Sequence, residues 1–310
     1  MVSLDLAPLL ALCLAGNVPP APAPVADQPL LVSTAWLADH LRDPHLVLFE
    51  IGGPETYMKG HIPGAQWISL RDLAAPHDMS VKPMPLALEL PAVARLDSVL
   101  SSHGVDNDSH VVFYAGEDWI TPTARAVLTL EYAGLRGQVS MLDGGRPAWT
   151  AEGRPISTEV PKVVPAKFVS HPRSDVVVTV DWLSAHLKDP HIALFDARDP
   201  GFYLDTTDNN MVRGGHIPGA KSVPFTTLTD EAGKLHSRAD LEAQFHAAGA
   251  DPGKLVVSYC HVGQQGSLVY LVARYLGYDA RLYDGSFQEW SGRTDLAVEG
   301  ANPQMVHHVE

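Results

Sequence analysis

At 310 residues, with ordinary hydrophobic content and a formal charge of −14, the chain is long enough for two domains of usual size. The acidic balance argues against a nucleic-acid or anionic-membrane partner, which requires clustered Lys and Arg. No apolar run reaches the ~18–20 residues that span a bilayer. An anionic substrate would have to be attracted locally, by backbone N–H groups and a placed arginine, against the overall field.

In chain order, Leu4 to Ala15 is apolar and Pro19 to Ala26 is rich in Pro and Ala, the pattern of a secretory h-region and its cleavage region. Asp5, and the lack of Lys or Arg ahead of the run, depart from that pattern. The expectation is an exported, periplasmic protein; the alternative is a cytoplasmic one with a disordered tail. Cys13 falls in this leader, so the folded part carries one thiol, Cys260, and no internal disulfide.

The rest of the chain is a tandem duplication. Thr34 to Glu50, with Trp36, His40, Asp43, Pro44 and His45, repeats as Val180 to Asp196. His61-Ile-Pro-Gly-Ala65 repeats as His216-Ile-Pro-Gly-Ala220, with a short insertion in the second copy between Arg198 and His216. Val111-Val-Phe-Tyr-Ala115 repeats as Val256-Val-Ser-Tyr-Cys260, and Leu142-Asp-Gly-Gly as Tyr283-Asp-Gly-Ser, each followed by Trp149 or Trp290. Each copy reads as helix, strand, His-Ile-Pro-Gly turn, helix, strand, loop, helix, short strand and Asp-Gly turn. Strands alternating with helices predict an α/β fold, two tandem domains each built on a parallel sheet with helices on both faces. The predicted organisation is a leader and Pro/Ala linker over 1–28, an inactive domain over 29–155, a linker over 156–174, a catalytic domain over 175–300 and a tail over 301–310.

The second copy holds the chemistry. Leu255 to Tyr259 is a buried-strand run, and Ser267 to Leu276 places Leu268, Leu271, Val272 and Tyr275 on one helical face before a C-cap at Gly277. Cys260 stands between them, at the C-terminal end of a strand and facing a helix N-terminus, where ligands bind in open α/β sheets and a thiol pKa is lowered. In the first copy Ala115 replaces Cys260, and Gly52 replaces Arg198, so both nucleophile and cation are lost there. The first copy then reads as one wall of the cleft, and Glu117-Asp118 as a solvated turn.

Two copies with His-Ile-Pro-Gly-Ala, Asp-Gly-Gly/Ser-x-x-x-Trp and one loop cysteine resemble the tandem-domain rhodanese family, which contains thiosulfate and 3-mercaptopyruvate sulfurtransferases. The resemblance implies that Cys260 accepts a sulfane sulfur as a persulfide and passes it to cyanide, a thiol or a thioredoxin-like acceptor. It implies that the backbone from His261 through Val262, Gly263, Gln264, Gln265 and Gly266 to Ser267 cradles that anion. Arg198 would hold the anionic part of the donor, with Asp196 orienting Arg198 and His61 in support from the first copy. No metal or other cofactor is implied, because the covalent persulfide carries the group. His261 and Val262 stand where thiosulfate-preferring members carry two basic residues and mercaptopyruvate-preferring ones Gly-Ser. His261, a cation at the mouth of the site or a solvent-facing loop residue, can supply partial positive charge, and with the missing Ser this favours thiosulfate.

A cysteine phosphatase or arsenate reductase would need Arg six residues after the cysteine, where Gly266 stands. A non-catalytic persulfide-binding module is disfavoured by the presence of both Cys260 and Arg198. His61 and His216 read first as turn residues, Asp143 and Asp284 as turn formers, Arg213 and Lys221 as solvated charges, and His307-His308 as tail.

Overall fold

A computed structural model describes residues 28–78, 80–81, 85–117, 120–208 and 210–308. The leader, its Cys13 and the export expectation lie outside them. Two parallel sheets of five strands form the frame. The first contains β1 (Leu31–Val32), β2 (Leu46–Ile51), β3 (Gln66–Trp67), β4 (His110–Ala115) and β5 (Val139–Leu142), in the order β1-β5-β4-β2-β3. The second contains β6 (Val177–Val178), β7 (Ile192–Asp196), β8 (Lys221–Ser222), β9 (Leu255–Tyr259) and β10 (Asp279–Tyr283), in the order β6-β10-β9-β7-β8. The same order twice is the duplication expressed as topology. β4 and β9 occupy the sheet centres, which explains their mainly apolar sequences: a parallel strand covered on both faces has no solvent side to alternate with.

Local signals set the element boundaries. The first helix of each copy, Thr34–His40 and Val180–His186, is started by a side-chain cap, Ser33 accepting the N–H of Trp36 and Thr179 that of Trp182. The helix after Cys260 spans Gln264–Leu276, one turn earlier than the apolar spacing predicts, and Gly277 ends it in the left-handed conformation. Its burial is continuous from Gly266 to Ala273, while Tyr275 is only half-buried. One-faced amphipathicity fails here because the helix is covered on two sides. One side packs on its own sheet, and the other on the Ile120–Leu130 helix of the first domain, itself buried everywhere except Pro122. One hydrophobic cluster consequently runs through both domains, from Phe113 and Val127 to Leu271 and Leu282.

The segment predicted as a linker is irregular but docked. Ser157 exchanges backbone hydrogen bonds with His61, Phe168 is buried, and Ser170 is held by Asp97. Arg213 is not a solvated charge: its guanidinium donates to the carbonyls of Trp290, Ser291, Arg293 and Leu296. The tail histidines also have companions, His307 Nε2 lying 3.2 Å from Asp205 and His308 Nδ1 2.6 Å from Asp208. Among the described residues no helix is long and apolar enough to cross a membrane.

Candidate active site

Cys260 ends the central strand of the second sheet and is 1% exposed. The chain leaves the strand, turns at Gly263 with φ 80°, and enters the helix at Gln264. This left-handed turn aims backbone amides back at the sulfur: the N–H groups of Val262, Gly263, Gln265 and Gly266 all favour its negative form. Ser267 Oγ donates to the Gly263 carbonyl at 2.7 Å and closes the loop. Gly266 has no room for a side chain, since a Cβ there would lie 2.9–3.1 Å from Leu282 and the Tyr259 backbone. The predicted cradle is present, narrowed to these four amides.

The predicted depression of the thiol pKa is not. Burial pushes the Cys260 thiol above its ordinary value, and the four amides offset this only in part. A helix terminus lowers a thiol pKa, but desolvation dominates for a sulfur with almost no solvent contact.

Arg198 and Asp196 form the charged floor of the site, both with fully buried side chains. Arg198 Nε and Nη2 hold the Asp196 carboxylate at 2.6–3.1 Å, and Nη2 also donates to the Gly215 carbonyl at 2.7 Å. The guanidinium carbon lies 4.1 Å from the Phe287 ring centroid. Only Nη1 is without a partner. Arg198 is close enough to Cys260 for the developing thiolate to favour its charged form. Tyr259 completes the floor, its hydroxyl donating to Asp196 and accepting the Ile217 N–H.

His261 is not a cation. Burial, with the positive Arg198 behind it, lowers its pKa to about 4, and its ring meets the Phe202 ring edge-on at 4.6 Å. Gln264 Nε2 donates to Thr121 Oγ1 of the first domain and bridges the two halves. Beside it a cavity of about 970 Å³ opens in the first domain, lined by Gly52, Leu88 and Pro122 among others and met by the second domain at Gln264. His61 is not brought to the loop. Its ring stacks on Tyr57, and its nitrogens meet the carbonyls of Tyr57 and Glu159, all in the first copy and the segment that follows it. His216 makes the equivalent stack on Tyr203.

Sequence reasoning missed the Asp-Gly-Ser turn as part of the site. Ser286, held at φ 51°, accepts the Cys260 N–H through its hydroxyl, while the amides of Phe287 and Gln288 hold the Cys260 and His261 carbonyls. The only sequence signal was that this turn differs between the copies.

The first copy also retains a guanidinium, contrary to expectation. Gly52 supplies none, but Arg146, whose sequence counterpart is Phe287, reaches the same place from another backbone position. It donates to the Gly60 carbonyl, the counterpart of Gly215, and lies 3.6 Å from Glu50, the counterpart of Asp196. Glu117 approaches it as well, at 3.4 Å.

Comparison with known proteins agrees with this arrangement. The rhodanese-like domain family matches twice, over residues 33–152 and 179–293. The chain is 32% identical over 286 residues to the sulfur carrier protein TtuD of Thermus thermophilus, covering 87% of this chain and 96% of that one. It is 30% identical over 277 residues to a thiosulfate sulfurtransferase of Pseudomonas aeruginosa, covering 88% and 98%. The crystal structure of SseA from Escherichia coli, described as a 3-mercaptopyruvate sulfotransferase, superposes with a TM-score of 0.70 at 26% identity, covering 84% of this chain and 99% of that one. The chain belongs to the rhodanese-like family, as a tandem of two such domains.

Proposed function

We propose that this rhodanese-family sulfurtransferase takes a sulfane sulfur from thiosulfate and carries it as a Cys260 persulfide. The observation that supports this most is the single buried thiol facing four backbone amides with Arg198 beside it. The Cys260 thiolate attacks the outer sulfur of thiosulfate, a new S–S bond forms, the old one breaks, and sulfite leaves with the bonding pair. A nucleophilic acceptor, cyanide or a thiol, then attacks the terminal persulfide sulfur and returns Cys260 as thiolate. Both steps place negative charge on sulfur in a dry site, where fixed amides act without reorganising. The Arg198 cation, held by Asp196, opposes that charge at close range, and Nη1 is its remaining donor edge. Neither step calls on a metal, because the covalent persulfide carries the sulfur.

A second reading, with 3-mercaptopyruvate as donor, is favoured by the neutral His261. Without that charge the loop has no second cation for a sulfonate. The two are separated by turnover: thiocyanate formation from cyanide with each donor in turn. The expected result is thiocyanate from thiosulfate, lost by more than about a hundredfold in Cys260→Ser. Thiocyanate from 3-mercaptopyruvate alone would transfer the assignment to that donor.

A further inference from the structure

The domain without a nucleophile contributes a buried charge to the catalytic loop. Arg125 lies in the Ile120–Leu130 helix of the first domain and is 1% exposed. Its guanidinium ends against the other domain. Nη2 is 2.6 Å from Asp284 Oδ1 and 2.5 Å from the Leu88 carbonyl. Nη1 sits over Gly263, so close that a Cβ on that glycine would be 2.6 Å from it. Asp284 opens the Asp-Gly-Ser turn that holds Cys260 and His261, and its other oxygen accepts the Leu90 N–H. Leu88, in the same first-domain loop, is kept at φ 57°, a conformation a leucine adopts only when its surroundings impose it. Arg125 therefore touches both elements that shape the sulfur site, the Gly263 corner and the Asp-Gly-Ser turn.

We propose that Arg125 is a positioning residue for the Cys260 loop, balancing Asp284 and fixing the Gly263 corner so that the amides stay aimed at sulfur. This rests on Cys260 being the sulfur-carrying thiol. The pseudo-symmetry of the molecule shows what is particular to this contact. Asp143, the first-copy counterpart of Asp284, likewise accepts an N–H across the interface, from Leu235. The counterpart of Arg125, however, is Tyr270, whose hydroxyl turns away to Glu131. A cation also reaches the first-copy turn from across the interface, Lys234 acting on Asp143, but it comes from the loop before Leu235 and not from a helix.

Other charges face this region: Arg198, Asp196 and the neutral His261 from the loop's own domain, Glu289 from the helix after the turn, and Glu89 from the first domain. Burial and the adjacent Asp284 carboxylate raise the Glu89 pKa to about 8.

The test follows the pH midpoint of Cys260 alkylation by iodoacetamide in the full chain, mapped by peptide mass spectrometry to separate it from Cys13. Arg125→Met leaves Asp284 bare beside the loop and should raise the midpoint by about one unit, a tenfold loss of thiolate at fixed pH. Adding Asp284→Asn should restore most of it. Tyr270→Phe, which alters the same interface away from the loop, should leave it unmoved. An unmoved midpoint in Arg125→Met, a double variant no better than the single one, or an equal shift in Tyr270→Phe would overturn the proposal. If Arg125→Met does not fold, Asp284→Asn alone decides: it should lower the midpoint, and an equal or higher value overturns. The readout needs no sulfur donor, so its failure is distinct from that of the sulfur-transfer reading, which fails if wild type takes up no sulfur.

Discussion

At Cys260 two effects of similar kind act in opposite directions. Desolvation favours the neutral thiol, four amides favour the thiolate, and the balance leaves the thiol above its usual range. The sign of the pH dependence follows. The reactive form is the anion, so sulfur loading under excess donor should accelerate as pH rises through neutrality toward the elevated midpoint. His261, held to about 4, adds no inflection near its ordinary 6.5. A step near 6.5 that vanishes in His261→Gln would show the imidazole charging there and contradict this. The position of the thiol was legible in the sequence, because a cysteine closing an apolar strand before a glycine-bearing loop has few other places to be. Its pKa and that of His261 were not, because both depend on burial by residues distant in the chain.

At the scale of elements, the two copies show how one architecture is kept while its chemistry is lost. Both sheets place a guanidinium beside an acid at the C-terminal end of a strand, Glu50 on β2 or Asp196 on β7, from Arg146 in one case and Arg198 in the other. In the first copy two carboxylates, Glu50 and Glu117, surround the cation; in the second Asp196 alone does. The first site therefore holds one more carboxylate per cation than the second and is less suited to a persulfide anion. Restoring the nucleophile alone should consequently fail: Ala115→Cys in a Cys260→Ser background is expected to take up no sulfur from thiosulfate, and uptake would refute the charge argument. Aligning the copies could not reveal Arg146, since alignment sets it opposite Phe287. The repeat did reveal the sheets, the His-Ile-Pro-Gly turns and the asymmetry at Cys260, all carried by local patterns.

Across the whole molecule, the buried helix pair Ile120–Leu130 and Gln264–Leu276 joins the domains through a shared core. The loop that carries sulfur leads directly into one of these helices, so its geometry depends on the interface. A continuous core predicts one cooperative thermal transition for the full chain, checked by calorimetry as agreement of calorimetric and van't Hoff enthalpies. Two resolved transitions would mean that the domains unfold separately. Interface residues such as Arg125, Thr121 and Asp284 were the least legible, because neither helical periodicity nor turn chemistry tells which helix meets which.

The proposed sulfur transfer passes through one covalent intermediate, the Cys260 persulfide. Intact-mass spectrometry of the purified chain after brief exposure to thiosulfate, beside Cys260→Ser, tests it most directly. The prediction is a gain of one sulfur atom in the wild type, mapped to the peptide containing Cys260, removed by cyanide and missing from the variant. A folded, reduced wild type that gains no sulfur, or a gain that persists in Cys260→Ser, would contradict it.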